Sequence, residues 1–155
     1  MSGRQTRRAL VLSEGTPSPQ LARLACSALY NRRQGNLMMK TPANLAEKLA
    51  TFTDRFSPRT VATYNGNDVM VAKLEGPFHW HKHDDTDDLF LVLAGTLDIE
   101  LRDRTVTLNP GEVFVVPKGV EHRPVARGEV HILLIEPTGT PNTGDNATAA
   151  PRILA

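Results

Sequence analysis

Cysteine is almost absent from this chain: Cys26 is the only one in 155 residues. No internal disulfide can staple the fold, so its stability must come from a buried core. Long apolar runs are missing too. None approaches the roughly 20 residues that a membrane-spanning helix requires, and together the two absences predict a soluble, cytoplasmic protein with no membrane partner. An excess of charge of one sign is also lacking, since the net charge is +1. That balance is unevenly spread. Up to Met38 there are six arginines against Glu14 alone, which leaves twelve bases and sixteen acids for the rest. A mildly acidic remainder carries no basic stripe of the kind that tracks a phosphate backbone, which argues against nucleic acid as a partner.

The length suits one domain able to bury a core of its own. Residues 1–38 are rich in Arg, Ser and small residues, with one short amphipathic stretch, "LARLACSALY", and read as an extension without a core. A transit-like targeting peptide, a disordered arm, and translated sequence upstream of a start at Met38 or Met39 all fit this composition. The folded domain is expected over 39–140. It opens with "KTPANLAEKLATF", where Thr41 can cap a helix, Pro42 is tolerated in its first turn, and Leu45, Leu49 and Phe52 form an apolar face. The tail, 141–155, is turn-rich and then poor in apolar residues, and is expected to cross the surface and fray.

From about Arg59 the period changes from helical to strand-like. Val61, "DVMVAKLEG", "LFLVLAGTLDIELR", "TVTL", "EVFVVP" and "EVHILLIEP" are separated by turn signals such as "NGN", Gly95, "NPG", "PKG" and Gly128. Many short strands at this spacing predict an all-β antiparallel sandwich or barrel.

The stretch "FHWHKHDDTDDLF" holds three of the five histidines. Residues two apart on a strand point to the same face, about 6.6 Å apart, so His81 and His83 can converge on one ion. After the turn "DDTD", Asp88 opens the next strand and returns a carboxylate beside them. His122 follows the "PKG" turn as a third imidazole. Three imidazoles and one carboxylate suit a divalent transition metal: Mn, Fe(II), Ni or Zn. A lone His-x-His on a strand usually means nothing, and "DDTDD" alone is more often a solvated acidic turn. The surrounding glycines and prolines raise the odds.

These residues resemble the two motifs of the cupin superfamily. His81-Lys82-His83, four residues, Asp88, six residues and Gly95 match the first; Gly111, Pro117, Gly119 and His122 match the second. The resemblance covers about 69–137 and is closest to small single-domain bacterial cupins, some labelled sugar-phosphate-isomerase-like. It implies a double-stranded β-helix, or jelly-roll barrel, with a metal held near its mouth by His81, His83, Asp88 and His122. Three departures stand out. Asp88 occupies a position usually held by Glu and is one methylene shorter, so that it either reaches the ion through a shift of the strand or leaves a wider open position there. Four residues, where five are common, separate Gly76 from His81, and Ala126 replaces an Asn that often closes the second motif.

Other side chains are expected to be secondary. His79 shares the face of His81 and His83, either lining the pocket or lying at an exposed edge; His131, in an apolar strand, reads as a satisfied core histidine. Trp80 must point away from the histidines, as must Glu121 and Arg123 relative to His122. Tyr64 and Met70 are candidates for the barrel interior. Leu89, Leu91 and Leu93 make the outer face of their strand apolar, so a homodimer is expected to cover it. Three functions remain open: a metal-dependent enzyme acting on a small polar metabolite, isomerase-like or dioxygenase-like; a non-catalytic metal- or ligand-binding module; and a metal that merely ties the barrel together. No second base is evident, and fold alone does not decide between them.

Overall fold

The computed structural model describes residues 42–155. The N-terminal extension, with Cys26, and the expected cap Thr41 lie outside the described residues. The helix α1 (Leu45–Ala50) is capped by Asn44 instead, whose Oδ1 accepts the backbone N–H of Ala46 at 3.0 Å and of Glu47 at 3.2 Å. Asn caps at least as well as Thr, and the residues between them are not helical, so the helix starts about a turn later than expected. Six residues are too few for an isolated helix to hold in water. Packing holds it: Leu49 is buried, and Leu45 and Phe52 close over Val61 and Val71 as the apolar spacing predicted.

The strands are β1 (Arg59–Tyr64), β2 (Asn67–Pro77), β3 (Asp88–Ala94), β4 (Leu97–Leu101), β5 (Thr105–Leu108), β6 (Val113–Val116), β7 (His122–Pro137) and β8 (Ile153–Leu154). The β1–β2 hairpin turns on Asn65 and Gly66, both at positive φ (49° and 77°), as a two-residue primed turn requires. One sheet runs β5-β4-β7-β2-β1-β8, and β3 leaves this path to pair with β7 on one side and β6 on the other. Every pairing except β1–β8 is antiparallel. The expected all-β jelly-roll arrangement is present. Among the described residues the sheet is not closed, because its path ends at β5 and β8.

The long strand β7 organises the core. Its first part pairs with β4, from Leu101↔His122 to Leu97↔Ala126, and its second part pairs with β3, from Ala94↔His131 to Leu89↔Ile135. Each strand therefore sends alternate residues inward to one cluster that includes Phe90, Val92, Leu97, Ile99, Val130 and Ile132. The tail does not fray. Ile153 and Leu154 pair in parallel with Arg59 and Thr60, the Ala155 N–H reaches the Thr60 carbonyl at 3.1 Å, and Lys48 Nζ donates to the Ala155 carbonyl at 2.8 Å. The edge of β1 takes up backbone groups that composition alone left without partners.

Candidate metal centre

Backbone pairing brings the two motifs together before any side chain is considered. His81 and His122 form an isolated bridge, exchanging N–H···O bonds of 3.0 and 2.9 Å. The Gly119 N–H donates to the His83 carbonyl at 2.7 Å, and the Lys118 N–H donates to Asp87 Oδ1 at 2.9 Å. Of the two adjacent aspartates, Asp87 thus ties down the "PKG" turn, while the next residue, Asp88, is buried and points inward by alternation. Gly144 closes the same corner from the tail. A Cβ there would lie 1.9 Å from the Lys82 carbonyl oxygen, at φ +71°, so only glycine lets the tail approach the histidine segment this closely.

One ligand-type atom from each of His81, His83, Asp88 and His122 lies within 4.8 Å of the others. The shorter aspartate is therefore no obstacle to joining the cluster. Its Oδ2 lies 3.1 Å from His122 Nε2 and 3.5 Å from His83 Nε2. His81 Nδ1 lies 3.1 Å from the His79 carbonyl, and His122 Nδ1 lies 3.1 Å from the Val120 carbonyl. A carbonyl only accepts, so both rings carry a proton on Nδ1, which leaves Nε2 as the nitrogen available to the cluster. His122 Nε2 faces the Asp88 carboxylate, a contact closed by a proton on Nε2 or by a cation in its place. In addition, His83 Nε2 and Asp88 Oδ1 are buried without a hydrogen-bond partner. The three nitrogens and one oxygen make a donor set that could hold a metal ion.

The electrostatics agree. Burial lowers the His81 pKa to about 4, helped by the neighbouring His122 charge, so this imidazole is neutral near pH 7, the form that binds metal. Burial alone would raise the Asp88 pKa, but the adjacent His122 and His83 imidazoles outweigh it and hold the carboxyl below its usual range. It is a carboxylate at neutral pH.

A pocket opens onto the cluster, lined by His81 and Asp88 and, around them, by Phe56, Phe78, Leu134 and Glu136 among others. Its empty space, counted to the open mouth, is about 420 Å³. Glu136 is a residue that the motif reading passed over. It is 3% exposed, its Oε1 lies 4.0 Å from His83 Nε2, and burial, then the Asp88 charge, push its pKa up to about 8. Alternation along β7, buried at Val130, Ile132, Leu134 and Glu136, was the available signal.

The remaining candidates fall elsewhere. His79 is exposed and stacks on Phe78 with ring centroids 3.8 Å apart; it supplies only its carbonyl to His81. His131 is not in the core. It faces outward beside α1, with Nε2 2.7 Å from Glu129 Oε1, because β7 is apolar on both faces and alternation alone does not say which face is inside. Trp80 points away as expected, beneath the guanidinium groups of Arg102 and Arg123 at 3.8 and 5.3 Å from its ring centroid. Glu121 and Arg123 likewise turn outward, to Arg102 and Glu100. Met70 is in the core, but Tyr64 is 64% exposed, since a register shift between Thr60 and Ala62 inverts the alternation before the hairpin.

Comparison with known proteins places this geometry in a wider group. The family model for the cupin domain matches residues 68–136. The crystal structure of a cupin-2 domain containing protein from Shewanella frigidimarina is 46% identical, with a TM-score of 0.60, over 61% of this chain and 93% of that one. A Neisseria meningitidis protein of known structure is 29% identical, with a TM-score of 0.58, over 63% of this chain and 100% of its own. The uncharacterized protein YdbB of Bacillus subtilis is 37% identical over 65 residues, 41% of this chain. That match spans 58% of the length of the curated relative.

Proposed function

This chain belongs to the cupin family, and from that premise we propose that it holds one divalent transition metal, Fe, Mn, Ni or Zn, on His81, His83, Asp88 and His122, and acts through it on a small molecule. The observation that carries this reading is the pocket itself. Two of the four candidate ligands, His81 and Asp88, line an opening to solvent, whereas a metal that merely ties a barrel together is saturated and shielded. When bound, the ion would supply Lewis-acid polarisation of an oxygen on the ligand, or an oxygen-binding site if it is Fe(II).

The chain's own groups do the rest. The carbonyls of His79 and Val120 orient the His81 and His122 rings, the outer-shell role that keeps metal-ligating imidazoles in one tautomer. Apolar walls exclude water. Glu136 Oε1 lines the pocket beside His83 and is the group we assign to accept or return a proton from the bound molecule. An isomerase-like or dioxygenase-like reaction uses the same parts. The alternative, a non-catalytic metal- or ligand-binding module, keeps the metal and the pocket but gives Glu136 no proton to move. A cytoplasmic setting belongs to the same proposal, supported by a chain whose single cysteine leaves no internal disulfide. So does a homodimer, supported by the apolar outer face of β3 and β6.

Elemental analysis of the full chain after reconstitution tests the metal. About one ion per chain is expected, with His122→Ala losing it while circular dichroism still reports a folded β protein. Stoichiometric metal in that variant, or none in the wild type, would overturn the reading.

A further inference from the structure

The lining of the pocket narrows the ligand. Among the described residues, and apart from the candidate ligands His81 and Asp88, its only polar side chains are Glu136 and Asn142; no Lys, Arg, Ser or Thr of that set lines it. Asn142 is already engaged, its Nδ2 donating to the Phe56 carbonyl at 3.2 Å and its Oδ1 accepting the Ala150 N–H at 2.8 Å. Among the described residues Glu136 is thus the polar side chain left to meet a ligand away from the metal. A phosphate is recognised by Arg, Lys or a cluster of backbone N–H groups, and a sugar needs a buried partner for each of several hydroxyls. Among the described residues the lining offers no cationic side chain and only Glu136 for a hydroxyl.

What lines the pocket instead is aromatic. Phe56, Phe78 and Phe90 contribute to it. Phe56 stacks on Phe78 (centroids 4.9 Å apart, 20° between planes), Phe78 meets His81 edge-on at 5.2 Å, and Phe90 meets His122 edge-on at 5.9 Å. Aromatic residues are only 5% of the chain, so three around one pocket is a marked concentration. Phe56 also holds a costly backbone conformation, φ +54°, which a bulky residue adopts only where its surroundings enforce it. Its N–H donates to the Lys73 carbonyl at 2.9 Å and its own carbonyl is held by Asn142. Both ends of the residue are pinned, and the result is a ring placed on Phe78 at the wall of the pocket.

We propose that the pocket takes a planar aromatic compound carrying an uncharged hydroxyl group, with the ring against Phe56 and Phe78 and the hydroxyl toward His81, Asp88 and Glu136. This deepens the metal-site reading and rests on it for the hydroxyl end; the ring end stands on the aromatic wall alone.

The test uses 4-fluorophenol as a fluorine NMR probe on the full chain loaded with Zn, with metal content measured on the same samples. Binding broadens the probe resonance. Phenol is expected to displace it, while cyclohexanol, of similar size but without a flat face, and glucose 6-phosphate at the same concentration do not. Phe78→Leu and, separately, Phe56→Leu keep apolar bulk and remove one aromatic face. Each should weaken phenol binding about three- to tenfold, with thermal denaturation checking that the variant is folded. Displacement by glucose 6-phosphate as effective as by phenol, or unchanged affinity in both folded variants, overturns the proposal. A metal-loaded wild type that binds no 4-fluorophenol overturns it while leaving the metal reading intact. A wild type that takes up no metal but binds the probe through Phe78 overturns the metal reading and retains the aromatic wall.

Discussion

At the scale of residues, two buried carboxyls lie near the histidines, and they are assigned different work. Asp88 shares its Oδ2 with His83 and His122 at 3.5 and 3.1 Å, whereas Glu136 stands 4.0 Å from His83 and faces the pocket. Asp88→Ala is therefore expected to lower metal affinity more than a hundredfold, while Glu136→Gln changes it less than tenfold, as expected for a group outside the ligand set. Titration of the metal-free variants with Zn against a competing chelator distinguishes them. Equal losses would mean that both carboxylates are ligands. That the three histidines and Asp88 cluster was legible in sequence because ligand chemistry demands particular residue types at motif spacing. Glu136 was not, because a glutamate at the end of an apolar run looks like the ordinary polar end of a strand.

Elements are held together by polar ties that span three strands at once. Asp98 on β4 accepts two bonds from Arg127, on β7, at 2.6 and 2.9 Å, and one from Thr107, on β5, at 2.6 Å. Burial pushes the Asp98 pKa up, but the Arg127 and Thr107 bonds and the guanidinium charge outweigh it, and the carboxyl is held below its ordinary range. A depressed folded pKa stabilises above the unfolded value, about 3.9, and the contribution is lost as pH falls through the folded value. Asp98→Asn should therefore melt below the wild type at pH 7, by a few degrees, and the gap should narrow as pH falls below about 4. Thermal denaturation across that range checks this; a gap that does not narrow would mean that the amide is disruptive for another reason. The helix face and the strands were readable from local periodicity. The cap at Asn44 and the strand β8 were not, since β8 exists only because the edge of β1 is there to pair with it.

At the scale of the whole molecule, an apolar surface stands out among the described residues. Val113 and Val115 on β6 are 58% and 41% exposed and pair across the sheet with Leu91 and Leu89, while among the described residues β6 pairs only with β3. Leu93, by contrast, packs against the cluster beneath α1. A second copy of the chain on the β6–β3 face is the dimer proposed above. Light scattering at micromolar concentration should report a dimer for the wild type and a monomer for Val113→Lys combined with Val115→Lys, with metal content unchanged. A monomeric wild type would refute it. The sequence by itself determined the strand-rich class, the order of the two motifs and the four groups that converge, because these depend on residue type and on periods of two that are local. Only the tertiary structure decided which side of the strands apolar on both faces is inside, where a bulge inverts the alternation at Tyr64, and that Glu136 and three phenylalanines meet around one pocket. Those outcomes depend on register between segments far apart in the chain, and a shift of one residue exchanges the two faces of a strand.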